Sequence, residues 1–244
     1  MRAARVVSTL LLVAHGSEDP RSAANAWAVA RQVARMRPGL DVRLAFCELN
    51  APSLVDVLGD CRDAAVVTPL LLANAYHARV DIPRQIARAG VDAGQAGVLG
   101  EDPRLISLLR QRVMDSGVSR DDERVGVLVA AIGSSDPIAN ARTRGVAPRL
   151  LAGTSWAGAT TAFVTHPGPS LAEAAGRLRR QGARRVVIAP WFLAPGRLPD
   201  RVRGFADGAG HALAEPLGAH RLVAETVLCR FDEALKPGIH GVAA

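Results

Sequence analysis

The chain has 244 residues and a formal net charge of +7, with hydrophobic residues at 49% and aromatics at only 4%. That length supports one large or two small domains with real cores, built here chiefly from Ala, Val and Leu. No apolar run reaches the roughly 18–20 residues of a membrane span, no basic stripe interleaved with aromatics marks a nucleic-acid surface, and the scattered Cys47, Cys61 and Cys229 form neither a CxxC pair nor a disulfide framework. The expectation is a cytoplasmic protein with no nucleic-acid or membrane partner. Its cations are almost all arginine, with Lys236 the single lysine, and guanidinium groups suit a small polycarboxylate.

Along the chain, apolar β-rich runs alternate with helical patterns. Strands are expected at 6–14, 42–49, 65–72 and 98–99, and helices at 23–36, 52–61, 82–89 and 105–114. The polar stretch SRDDE at 119–123 breaks the pattern. Strands follow near 126–132, 160–165, 185–193 and 212–217, with helices near 139–151, 171–181, 201–209 and 222–235. Strand–helix alternation predicts parallel sheets covered on both faces. The fold class is therefore α/β, with two tandem similar domains of four parallel strands each. The boundaries fall at 1–118, a linker at 119–124, and 125–244.

The two halves are copies. LVAHGSEDP at 12–20 matches VAAIGSSDP at 129–137, and FCELNAPSL at 46–54 matches FVTHPGPSL at 163–171, both at an offset of 117 positions. The copies part company in chemistry. His15 corresponds to Ile132 and Glu48 to Thr165, while His77 has no histidine counterpart. His166, one position past the Glu48 equivalent, is turned to the other face by strand alternation and is expected to be structural.

His15 ends the first strand, Glu48 the second, and His77 follows the third, so topology brings all three to one carboxyl-terminal sheet edge. Two imidazoles and a carboxylate suit Fe, Co, Ni or Zn rather than Mg, and neutral imidazole also accepts protons. Other chemistries lack their signatures. The turn at Gly16-Ser17 has no Walker lysine and no GxGxxG. Ala14 stands where a histidine phosphatase carries its phosphate-binding arginine, and no GxSxG elbow is present.

LLLVAHGS, FCELNAPSL and PLLLANAYHARVDIP together resemble the class II chelatases that act on sirohydrochlorin, and LGEDPRL resembles their fourth-strand signature. The resemblance spans nearly the whole chain, in the two-domain form, with Ala75-Tyr76 where the family commonly has Gly-Gly. It implies insertion of Fe²⁺ or Co²⁺, as substrate, into an acidic tetrapyrrole on the way to sirohaem or cobalamin, with no permanently bound cofactor. It places the metal-handling and catalytic residues at His15, His77 and Glu48. Ser17, Arg21 and Arg79 lie beside them as candidate contacts to the substrate's carboxylates. A monomer is expected, with the active site in the first half. The rival is a non-catalytic carrier of tetrapyrrole or metal on the same fold. Metal binding and proton acceptance both need neutral imidazole, so activity is expected to fall as pH drops through about 6–7; a rate profile flat to about pH 5 would remove histidine from both roles.

Overall fold

The computed structural model describes residues 9–61, 63–165 and 167–236. His166 and the start of the first expected strand lie outside the described residues. One motif opens each half: a buried strand, a short turn, and a helix capped by the aspartate of the turn.

In the first half the strands are β1 (Thr9–Ala14), β2 (Asp41–Phe46), β3 (Ala65–Pro69) and β4 (Ala93–Gln95). They form one parallel sheet in the order β2-β1-β3-β4. Helices α1 (Pro20–Met36), α2 (Leu54–Gly59) and α3 (Ile82–Ala89) connect them, and a π-helical turn, His77–Asp81, leads into α3. Helix α4 (Pro103–Asp115) follows. The second half repeats the order with β5 (Val125–Ala131), α5 (Pro137–Arg144), α6 (Val146–Leu151), β6 (Gly158–Phe163), α7 (Leu171–Arg180), β7 (Arg185–Pro190), α8 (Arg197–Ala209), β8 (Ala212–Leu213) and α9 (Arg221–Leu235). Its sheet runs β6-β5-β7-β8, again parallel.

Local chemistry explains the boundaries. Asp-Pro starts α1, α4 and α5 alike: the aspartate side chain accepts backbone N–H bonds at the N-cap, and proline opens the first turn where its missing N–H costs nothing. Ser170 and Glu173 close a reciprocal capping box on α7. Gly90, in the left-handed conformation, ends α3.

Two expected elements differ. The apolar pair at 98–99 lies past the fourth strand, which is Ala93–Gln95; the Leu99 N–H still donates to the Leu71 carbonyl and its side chain is fully buried. Apolarity there reports burial, not strand pairing. The helix expected over 139–151 breaks into α5 and α6 at Gly145, because Pro148 has no N–H for the carbonyl one turn back and glycine is a weak helix former.

Packing does not follow the sequence repeats. One compact unit takes in the chain up to Gly100 together with Ala219 onward; the other is Glu101–Gly218. Within the first unit, Leu11, Val13 and Val67 pack on the α2–α3 side with Leu54, Leu58 and Ile82. Strand alternation turns Leu10 and Leu12 to the opposite face, where α1 and α9 lie. Helix α9 is fastened there by polar clamps as well. The Arg230 guanidinium donates to the carbonyls of Val98 (2.9 Å) and Leu99 (3.1 Å), and Arg37 donates to Asp232 at 2.7 Å. Phe231 of α9 is buried, so Phe231→Ala is expected to lower unfolding free energy by about 3–5 kcal/mol, read from urea midpoints.

Candidate active site

In a parallel sheet of order β2-β1-β3-β4, chain connections leave β1 to both sides, and loops splay apart at the carboxyl ends of β1, β2 and β3. The register fixes what meets there. Ala14 is paired with Phe46 and Val13 with Pro69. Pairing then runs one step past the strands, with the Cys47 N–H donating to the Ala14 carbonyl (2.9 Å) and the Glu48 N–H to the His15 carbonyl (3.0 Å). The register sets His15 level with Cys47, and Glu48 follows one residue further along with its N–H on the His15 carbonyl.

Gly16 makes this approach possible. Its φ is +103°, and a Cβ there would lie 1.8 Å from the Glu48 carbonyl oxygen, so no side chain fits. Ser17 follows, its N–H donating to Asn50 Oδ1 at 2.7 Å and its hydroxyl accepting from the Asp19 N–H at 3.1 Å. Asn50 thereby ties the β1 turn to the β2 turn, a role that sequence reading missed. Leu49, between Glu48 and Asn50, is held at φ +63°, a left-handed conformation uncommon for leucine.

His77 arrives by a longer path, through residues 70–76 to the first position of the π-helical turn. Its Nε2 lies 2.8 Å from His15 Nε2, and the two rings meet edge to face with centroids 4.0 Å apart. Glu48 Oε1 lies 3.3 Å from the same His15 Nε2. The three residues named from sequence are therefore brought together, at side-chain exposures of 39% for His15, 34% for His77 and 51% for Glu48.

The other ring nitrogens determine what this trio can hold. His15 Nδ1 faces the Gly16 carbonyl at 3.0 Å, and His77 Nδ1 faces Asp81 Oδ2 at 3.2 Å. Both partners are acceptors and favour hydrogen at each Nδ1, whereas the 2.8 Å contact between the two Nε2 atoms and the Glu48 carboxylate 3.3 Å from that of His15 favour a hydrogen there. Two lone pairs at this distance repel unless a cation lies between or beside them, either a shared proton or a metal ion. Among the described residues no three His, Cys, Asp or Glu side chains are grouped, as they stand, so that they could hold a metal ion. Two nitrogens bound to one metal at about 2.1 Å stand about 3.0–3.4 Å apart, so the imidazoles are spaced as a hydrogen-bonded pair a few tenths of an ångström short of shared coordination.

Cys47 lies next to this trio without joining it. Burial, then the carboxylates of Asp81 and Glu48, push its thiol up to about 12. Of the expected carboxylate contacts, Arg21 is forked onto Asp19 at 2.6 and 3.0 Å, and Arg79 is exposed on the π-helical turn beside His77. Arg84, not singled out in the sequence, places a guanidinium nitrogen 3.5 Å from the Tyr76 hydroxyl.

In the second half, Ile132 and Thr165 take the places of His15 and Glu48, and the Thr165 hydroxyl accepts from the Gly133 N–H at 3.1 Å. That turn closes on itself with an uncharged hydroxyl where the first half holds a carboxylate.

Comparison with known proteins agrees with this doubled architecture. The CbiX family model matches residues 9–116 and again 126–234. A sirohydrochlorin ferrochelatase of Priestia megaterium is 27% identical over 231 residues, covering 88% of this chain and 85% of that protein. A sirohydrochlorin cobaltochelatase of the same organism is 27% identical over 211 residues, covering 80% of this chain and 67% of its own length. The fold is that of SirB from Bacillus subtilis, solved with Fe³⁺, at a TM-score of 0.82 and 24% identity over 94% of this chain and 96% of that one. With both halves matched, the chain belongs to the CbiX family.

Proposed function

We propose that the protein is a sirohydrochlorin chelatase that inserts Fe²⁺ or Co²⁺ into the free-base macrocycle, using one site in the repeat 1–118, with 125–244 as its degenerate copy beyond the linker 119–124. The observation that carries this reading is the convergence of His15 Nε2, His77 Nε2 and Glu48 Oε1 at one sheet edge, with both Nδ1 atoms engaged elsewhere. The relatives named for iron and for cobalt support the reaction class.

Chelation must strip water from the metal, present it to one face of the ring, and remove two pyrrole protons. Opening the imidazole pair by a few tenths of an ångström admits the metal between the two Nε2 atoms, in place of a proton. The imidazole–carboxylate set suits either ion. As the metal moves to the pyrrole nitrogens, the ring releases two protons, and the freed imidazoles and the Glu48 carboxylate accept them and pass them to water. Half-exposure of all three side chains supplies the path outward. Leu49 (62% exposed) and Tyr76 (56%) flank Glu48 and His77 in sequence and offer apolar surface to a flat macrocycle. Arg79, and Arg84 beside Tyr76, are placed for its carboxylates, and Ser17 and Arg21 stand on the other flank. The reading takes the chain as a cytoplasmic monomer with free thiols at Cys47, Cys61 and Cys229 and with the metal as substrate.

The test is anaerobic absorbance of sirohydrochlorin with Co²⁺ or Fe²⁺ and a catalytic amount of protein. Wild type is expected to metallate many equivalents, and the His15→Ala/His77→Ala double variant to lose about 100-fold or more of that rate while keeping its thermal midpoint. A spectral change that stops at one equivalent per chain identifies a carrier and sinks the enzymatic reading.

A further inference from the structure

The DIP segment after His77 does more than start a helix. Asp81 faces His77 Nδ1 with one carboxylate oxygen, Oδ2, at 3.2 Å. Its other oxygen, Oδ1, accepts from Gln85 Nε2 at 3.0 Å, and the same amide also donates to the Cys47 carbonyl at 3.1 Å. Cys47 precedes Glu48, and its own N–H is bonded to the Ala14 carbonyl beside His15. A continuous chain of hydrogen bonds thus runs from the His77 ring, through Asp81 and Gln85, to the backbone that carries Glu48 and abuts His15.

A four-residue spacing sets this geometry, because positions four apart share a helix face, and in the turn His77–Asp81 it brings Asp81 beside the His77 ring. Gln85 repeats the same interval on α3. Asp81 makes no cap bond for that helix, so its carboxylate is committed to the ring and to Gln85. The His15 ring has a simpler support, the carbonyl of Gly16.

Resting on the metal-ligand reading of His77, we propose that Asp81 is a positioning residue: its carboxylate, oriented by Gln85, holds His77 as the Nδ1–H tautomer and aims Nε2 at the metal. A ligating imidazole fixed by an acceptor at its far nitrogen keeps one tautomer and one ring orientation and is the more basic ligand, and loss of such a partner typically weakens metal binding by about 10–100-fold.

The test uses the full chain and Co²⁺ alone, titrated in competition with a chromophoric chelator. Asp81→Ala is expected to weaken binding by about 10–100-fold, and Asp81→Asn to recover most of it, because the amide oxygen still accepts from Nδ1. In a His77→Ala background, Asp81→Ala is expected to change nothing further. Imidazole ¹⁵N shifts supply a reading independent of metal: the His77 ring should be Nδ1–H in wild type and in Asp81→Asn, and a tautomer mixture in Asp81→Ala. Wild-type affinity in Asp81→Ala, or an equal loss with and without His77, overturns the positioning role while leaving the ligands in place. Wild-type affinity in His77→Ala overturns the ligand reading itself, and Asp81's role with it.

Discussion

The site depends on one backbone hydrogen bond, from the Glu48 N–H to the His15 carbonyl, made one residue past Ala14 and two past Phe46, the last paired positions of β1 and β2. The parallel register would set His15 level with Cys47, and this bond holds Glu48, the next residue, against the end of β1. It requires position 16 to carry no side chain, since a Cβ there would collide with the Glu48 carbonyl. Gly16 is therefore a requirement of the carboxylate's position as much as of the turn. With His15 and Glu48 set by the β1–β2 pairing, His77 joins them from the turn after β3, with Asp81 at its far ring nitrogen.

The second half separates what the fold needs from what the chemistry needs. It keeps the register to the strand ends: the Val164 N–H donates to the Ala131 carbonyl at 2.9 Å, as Cys47 does to Ala14, and the Trp191 N–H to the Ala130 carbonyl at 2.8 Å, as Leu70 does to Val13. It keeps the Asp-Pro cap on α5 and a serine cap on α7. Strand β5 is buried end to end, and β7 from Val186 onward. What has changed stands beyond the strands, where Ile132 is exposed and Thr165 satisfies a local N–H. Sheet-edge residues past the core contribute little to packing, so they diverge without loss of fold.

The repeat, the alternation of strands and helices and the meeting of His15, Glu48 and His77 were legible because each rests on periodicity and on where parallel strands end. Other features depend on tertiary placement that periodicity does not encode. The amphipathic pattern of α9 says that one face is buried, not that it is buried with β3 and α1 of the first sheet. Leu99 reads as strand because it is buried, though its chain has already left the ladder. Asp81 stood in plain view in the DIP segment, but its approach to His77, four residues earlier, needs a helical turn over His77–Asp81 where a loop was expected. Asn50 was hidden for a similar reason: its partner, Ser17, is remote in sequence and meets it only once β1 and β2 are in register.

Cys47 sharpens the reading of the donor set. A thiolate at this place would be the strongest soft ligand on the edge, and a metal held by it would be slow to leave. Here burial, and after it the carboxylates of Asp81 and Glu48, hold the thiol protonated, while its backbone N–H is bonded to Ala14 and its carbonyl to Gln85. On the proposed reading, the donors turned outward are two imidazoles and a carboxylate, each half-exposed, that would exchange a metal for a proton. A carrier gains from tight, enclosed ligation, whereas a catalyst that hands a metal to four pyrrole nitrogens needs ligands that release it. The open nitrogen–oxygen set, with its lone pairs pre-aimed and its sulfur withheld, meets the second requirement.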